Sequence, residues 1–178
     1  MKIDKKLLFF IILAVTGLFF YAGKLFPQNS CMTRIEARMV KGESLAGLIE
    51  AGEEVKIDFG FYNCNEIRRE DIVIYNFLGN PDPIIKIIKG LPGDKFNFQQ
   101  SGDYWQLLIN EEIVRNSFGE PYRFNESSYN LLNLYIKDYS GVIPSETYLI
   151  LGNLSNGSLD SSRFGLVDKG EILGRVVK

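Results

Sequence analysis

A mainly β fold carried behind a single N-terminal membrane helix is the class this sequence predicts, and three observations predict it. Residues Leu7 to Ala22 contain no charge. From Thr33 onward, short apolar or alternating runs of strand length succeed one another, separated by Gly, Pro, Asn and Asp. Only one later stretch, 127–139, has the apolar spacing of a helix. Many short strands in one small unit imply a coiled antiparallel sheet closing toward a barrel, with one short helix added. With 178 residues, 46% of them hydrophobic, the chain suits one anchor, 1–26, and one compact domain, 27–178.

Met1 to Lys6 hold three lysines ahead of the apolar run, which continues through Gly23, Lys24, Leu25 and Phe26. Roughly 17 to 20 apolar residues in a helix cross an ordinary bilayer, and Lys24 can snorkel at the far end. Phe19, Phe20 and Tyr21 are too bulky for a small-x-small processing site, so an uncleaved anchor is expected in place of a secretory signal. Lysines before the helix favour a cytoplasmic amino terminus, against the opposing pull of Lys24, Arg34, Arg38 and Lys41 after it. The expected location is therefore the cell membrane, single-pass, with the domain on the extracytoplasmic side.

Pro27 to Ser30 read as a linker. Next, Ile35, Ala37 and Met39 alternate with Arg34, Glu36 and Arg38, the pattern of a half-buried strand. It leads into Lys41-Gly42-Glu43-Ser44, so Ser44 stands where a strand gives way to a turn. Further strands are expected at Glu54 to Phe59, Asp71 to Phe77, Ile84 to Ile88, Trp105 to Ile109, Glu112 to Arg115, Thr147 to Leu151 and Ile172 to Val177. Asn110-Glu111 should turn a hairpin. Ser127 or Ser128 would cap the helix, which runs to about Tyr139 with Leu131, Leu132, Leu134 and Tyr135 as its apolar stripe and Gly141 beyond its end.

Composition excludes several function classes. A net charge of −2, from 20 basic and 22 acidic residues, supplies no field for nucleic acid. Histidine is absent, which removes a Ser-His-Asp triad, a Cys-His dyad and the usual zinc ligand sets. Neither a metal nor a cofactor is expected, and a hydrolase built from this chain needs another base. Cys31 and Cys64, the only cysteines, allow one bridge or two reduced thiols.

That base has a candidate in Ile84-Ile85-Lys86-Ile87-Ile88-Lys89-Gly90-Leu91-Pro92-Gly93-Asp94. The apolar run has the length and β-branching of a buried strand, yet it contains Lys86. Burial favours the neutral amine and can lower a lysine from about 10.4 by roughly 3 to 5 pH units, which makes it a usable base. The other reading is an edge strand with its lysine in water.

Two more stretches complete a pattern: Ser44-Leu45-Ala46-Gly47-Leu48-Ile49-Glu50-Ala51-Gly52-Glu53, and Gly152-Asn153-Leu154-Ser155-Asn156-Gly157-Ser158-Leu159-Asp160-Ser161-Ser162-Arg163-Phe164-Gly165. In this order, behind an N-terminal anchor, they resemble the bacterial type I signal peptidases, membrane-bound serine proteases of the S26 family that use a Ser/Lys dyad. The family patterns are Ser-Met-x-Pro-Thr-Leu-x-x-Gly-Asp, Lys-Arg-x-x-Gly-Leu-Pro-Gly-Asp and Gly-Asp-Asn-Arg-x-x-Ser-x-Asp-Ser-Arg-x-x-Gly. The resemblance implies Ser44 as nucleophile, Lys86 and not Lys89 as general base, Ser158 as the hydroxyl that orients the base, Asp160 as a structural carboxylate, and the Ser44 N–H as an oxyanion donor. Some relatives add a hydroxyl two residues before the nucleophile, where this chain has Gly42. Leu45, Gly47 and Leu48 replace the Met, Pro and Thr beside the nucleophile, Ile87 replaces the Arg after the base, and Asn153, Ser155 and Ser162 replace charged residues of the third stretch.

The implied substrates are signal-peptide-bearing precursors cut after a small-x-small motif, with the bilayer as the other partner. Between Asp94 and Gly152 there is no room for the large extra domain of some relatives. Two alternatives share the pattern: a dedicated processing peptidase for a pilus or conjugation substrate, and an inactive membrane-anchored peptide-binding relative.

Overall fold

The computed structural model describes residues 32–77 and 82–177. The expected anchor and Cys31 lie outside them. Among the described residues no helix is long and apolar enough to cross a membrane. In chain order the strands are β1 (Arg34–Met39), β2 (Glu54–Phe59), β3 (Ile72–Tyr75), β4 (Ile84–Gly90), β5 (Phe96–Ser101), β6 (Tyr104–Ile109), β7 (Glu112–Ile113), β8 (Arg123–Phe124), β9 (Thr147–Leu151), β10 (Val167–Asp168) and β11 (Ile172–Val177). Among the described residues the α-helices are α1 (Glu126–Asp138) and α2 (Ser161–Phe164).

Two antiparallel sheets form. The first has seven strands in the order β1-β2-β11-β3-β4-β9-β10; the second has four, β5-β6-β7 with β8 also on β6. The barrel expectation is corrected in form: among the described residues β1 and β10 remain the edges of an open sheet, and the 96–124 region folds as a sheet of its own. Strand β4 lies inside the first sheet between β3 and β9, which rules out the edge-strand reading of Lys86.

Apolar clusters explain why these strands assemble. Leu45 and Ile49 pack with Val55, Ile57, Ile74 and Ile87, whereas Ile88 packs with Tyr62, Val73, Tyr148 and Ile150. Consecutive residues of β4 thus enter different clusters, and the strand is buried on both faces, as its continuous apolar run requires. Phe96, Leu107, Tyr122, Leu132, Ile143 and Leu149 form a third cluster beneath α1.

Several local expectations are corrected. Strand β1 alternates, but Ile35 and Met39 are 62% and 58% exposed, because nothing among the described residues covers that face. The cap of α1 is Asn125, whose side chain accepts from the Ser128 N–H at 2.9 Å; Ser128 is the buried donor. Leu134 lies outside the stripe at 55% exposure. Gly141 closes the helix as expected, its N–H reaching the Ile136 carbonyl at 2.8 Å past Ser140 in the left-handed region. Asn110 and Glu111 both have positive φ, 51° and 71°, as a two-residue hairpin turn demands. Cys64 is disulfide-bonded.

Candidate active site

Ser44 opens a compact turn between β1 and β2. The Ala46 N–H donates to Glu43 O at 2.9 Å, and the Leu48 and Ile49 N–H groups donate to Leu45 O, each at 2.9 Å. Leu45 and Ile49 anchor the turn in the core at 1% and 0% exposure. Glu50 and Glu53 tie it further, accepting from the Gly47 N–H at 2.8 Å and the Glu50 N–H at 3.0 Å. The Ser44 N–H makes no hydrogen bond among the described residues. A donor held that way is available to a developing oxyanion.

Strand β4 brings Lys86 to this turn, with its Nζ 2.8 Å from Ser44 Oγ and 2.7 Å from the Ile85 carbonyl oxygen. Burial lowers the lysine from 10.5 to about 8; the Asp160 carboxylate pulls the other way and is outweighed. A lysine so placed can hold a neutral amine against a serine hydroxyl, the arrangement that activates an otherwise weak nucleophile.

The third stretch supplies the frame. Asp160 is 1% exposed, and its carboxylate accepts from the Ser158 hydroxyl at 2.6 Å, the Gly152 N–H at 3.0 Å and the Ser162 N–H at 3.0 Å, the last capping α2. Ser158 is therefore bonded to Asp160, while the bonds of Lys86 go to Ser44 and Ile85. Gly152 fits a narrow gap: a Cβ there would stand 2.5 Å from Ser158 Oγ and 2.7 Å from Ser44 O. That approach is why a glycine stands at this point. Ser162 cannot pair with Asp160 as an arginine would, and its backbone N–H makes the contact instead.

Sequence reasoning noticed Asn153 only as a missing charge. It is fully buried, and its backbone N–H donates to Ser44 O at 2.6 Å while Nδ2 donates to Ala46 O at 2.8 Å. The only signal in the sequence was its chemistry, since an amide can donate and accept where a carboxylate can only accept.

A groove of about 560 Å³ leads to Ser44 and Lys86, lined by Arg38 to Lys41 from the β1 side, by Asp82 to Ile85 from the β4 side, and by Val55, Ile57, Phe59 and Ile74. Among the described residues strand β1 is a sheet edge, and an edge of this kind can take an added peptide strand.

Known proteins resemble this chain over most of its length. The family model described as signal peptidase, peptidase S26, matches residues 7–178. Signal peptidase IB of Staphylococcus aureus (strain COL) is 29% identical over 148 residues, 77% of this chain and 73% of that protein. Signal peptidase I of Bacillus caldolyticus is 26% identical over 141 residues, 78% and 75% of the respective chains. A crystal structure of a signal peptidase I from Enterococcus faecalis V583 gives a TM-score of 0.45 at 22% identity, over 64% of this chain and 98% of that one.

Proposed function

The chain belongs to the signal peptidases of family S26 and is a serine signal peptidase, and from that premise we propose that it cuts signal peptides from exported precursors with a Ser44/Lys86 dyad, anchored in the membrane by residues 1–26 with residues 27–178 as its extracytoplasmic peptidase domain. The observation that carries the dyad is the 2.8 Å contact between Lys86 Nζ and Ser44 Oγ. At that distance the charged amine donates to the hydroxyl, and the neutral amine accepts the hydroxyl proton.

The chemistry follows in order. Neutral Lys86 takes the Ser44 proton as Oγ attacks the scissile carbonyl, and the Ser44 N–H donates to the oxyanion. Protonated Lys86 then gives that proton to the departing amine, leaving an acyl ester on Ser44. Water, deprotonated by the same lysine, attacks the ester; the C–O bond to Ser44 breaks, Lys86 returns the proton to Ser44 Oγ, and the signal peptide leaves with its new carboxyl group. Ser158 and Asp160 hold the frame around the pair. The substrate lies in the groove as a strand beside β1. An anchor is supported by the uncharged run Leu7 to Ala22, and by Met32, Ile35 and Met39, which stand 84%, 62% and 58% exposed just after it.

Incubating the detergent-solubilised full chain with a secretory precursor and sequencing the new N-terminus tests the reading. Cleavage after a small-x-small motif is expected, with Ser44→Ala and Lys86→Ala each abolishing it and the double variant hardly worse, since nucleophile and base act as a unit. Cleavage that survives Ser44→Ala would end the proposal.

A further inference from the structure

The turn that carries Ser44 is gripped from a direction the proposed chemistry leaves unused. Residues 115–120, which connect β7 to β8 in the second sheet, are folded around Asn116. Its Oδ1 accepts from the Phe118 N–H at 3.0 Å and the Glu120 N–H at 2.9 Å, and the Arg115 guanidinium donates to Gly119 O at 2.7 Å. The loop presents Ser117 and Phe118 to the serine turn.

Asn153 joins the two. Besides its bonds to Ser44 O and Ala46 O, its Nδ2 donates to Ser117 Oγ at 2.8 Å, its Oδ1 accepts from the Ser117 N–H at 3.0 Å, and its carbonyl accepts from Asn116 Nδ2 at 3.1 Å. Every polar group of this buried residue is spent on the junction. Phe118 adds a steric contact. Gly47 has φ +85°, and a Cβ built there would fall 2.0 Å from Phe118 Cζ, so the ring rests directly on the glycine while remaining 64% exposed. Glycine at the middle of the turn has no side chain to restrict its backbone, so beyond the turn's internal hydrogen bonds its two inner carbonyls and its open face are held from outside.

We infer that Asn153 and Phe118 are positioning residues for the nucleophile, acting through the 115–120 loop to fix the Ser44–Gly47 turn. The inference rests on the reading of Ser44 as nucleophile. Holding Ser44 by its carbonyl leaves its N–H free for the oxyanion and fixes the direction of Oγ toward Lys86. Displacement of a reacting group by about 1 Å lowers turnover by roughly a hundredfold.

The test uses the full chain in detergent, measuring kcat and KM on a precursor together with the thermal midpoint. Asn153→Ala should lower kcat about ten- to a hundredfold with KM within about twofold, because turnover and not binding depends on the aim of Oγ. Phe118→Ala, at an exposed position that leaves folding intact, should lower kcat about three- to tenfold, and Phe118→Leu, which keeps an apolar body over Gly47, should restore most of it. Gly47→Ala should be harmful alone and less than additive with Phe118→Ala, since removing the ring removes the collision. Unchanged kcat per folded molecule in both Asn153→Ala and Phe118→Ala, or strict additivity of the pair, would overturn the inference. Cleavage that persists in Ser44→Ala would instead remove the reading beneath it, and the inference with it.

Discussion

Lys86 and Lys89 stand three residues apart on β4 and are almost equally buried, at 3% and 4% exposure, so their partners must distinguish them. Lys89 donates to both carboxylate oxygens of Glu70, at 2.9 and 2.8 Å, and to the Arg115 carbonyl at 3.0 Å. Lys86 has a hydroxyl and a carbonyl, and no bonded carboxylate to hold its proton. The periodicity of the run could not separate them, because the deciding residue, Glu70, lies 19 positions away. Its place between Ile85 and Ile87 singled Lys86 out, but only the family pattern chose it over Lys89. Lys89→Met should therefore keep kcat and lose about 1 kcal/mol in urea unfolding, a small figure because Glu70 is 60% exposed and water replaces its partner. Loss of turnover in a folded Lys89→Met protein would contradict the assignment of roles.

The lowered pKa of Lys86 has two consequences at the same scale. If the neutral amine is the base, kcat/KM rises with pH through an acidic limb near 8, and the absence of histidine leaves no imidazole to imitate it. A limb near 10.5 would exclude Lys86 as the base. For stability, the unfolded lysine keeps its proton until about 10.5, whereas the folded one releases it near 8. Between those values the unfolded chain binds more protons, so this residue makes stability rise with pH; below 8 its full penalty is present. Lys86→Met should accordingly stabilise the protein by roughly 3 kcal/mol at pH 7 while abolishing turnover, and the gain should vanish above pH 10.5. Equal stability of the two proteins at pH 7 would mean that the ammonium is not desolvated as described.

At the scale of elements, Gly90-Leu91-Pro92-Gly93-Asp94 ends β4 and fixes where that strand, and Lys86 with it, must stop. A Cβ on Gly90 would meet Ile143 Cδ1 at 2.5 Å, and Gly93 turns at φ +85°, so the two glycines serve different needs. Asp94 locks the turn: it accepts from the Leu91 N–H at 2.6 Å, from Asn110 Nδ2 at 2.8 Å and from Arg69 at 2.8 and 2.7 Å. Asp94→Ala should cost about 2 to 4 kcal/mol, less than a fully buried pair because Arg69 is 37% exposed, and should leave kcat per folded molecule nearly intact. A loss under about 0.5 kcal/mol by thermal unfolding would show the clamp to be incidental. The turn itself was legible in the sequence as Gly and Pro punctuation; its carboxylate clamp was not, since Arg69 sits 25 positions upstream. The same limit governs the strands. β2, β9 and β11 were readable to the residue, because Val55, Ile57 and Phe59 of β2 alternate with charged residues while β9 and β11 are rich in β-branched or aromatic residues. β5, which ends Gln99-Gln100-Ser101, was missed: weak strand formers became a strand only by pairing with β6 along its whole length. β8 and β10 are two residues each, too short to carry a period.

At the scale of the whole molecule, the site is assembled from four places in the sequence: the turn after β1, the middle of β4, the loop after β9 and the loop between β7 and β8. Three of these were visible as motifs. The fourth belongs to the second sheet and showed no pattern, because its contribution is backbone shape and one exposed ring. All four lie after Met32, which allows a separation of chemistry from membrane delivery. A chain beginning at Pro27 retains both cysteines, so the bridge of Cys64 is still possible, and it retains every residue of the proposed site. On a short soluble peptide it should match the full chain in kcat and in its acidic limb near 8, since neither depends on residues 1–26. On a precursor embedded in lipid vesicles it should fall behind by about a hundredfold in kcat/KM, because an anchor confines enzyme and substrate to one surface and raises their effective concentration. The exposed Met32, Ile35 and Met39 should soften that loss, and Ile35→Ser with Met39→Ser in the shortened chain should deepen it without touching the peptide assay. Equal rates of the full and shortened chains on vesicle-embedded precursor would argue against residues 1–26 as a membrane anchor, and a lower kcat of the shortened chain on the soluble peptide would give that segment a role in the fold of the site itself.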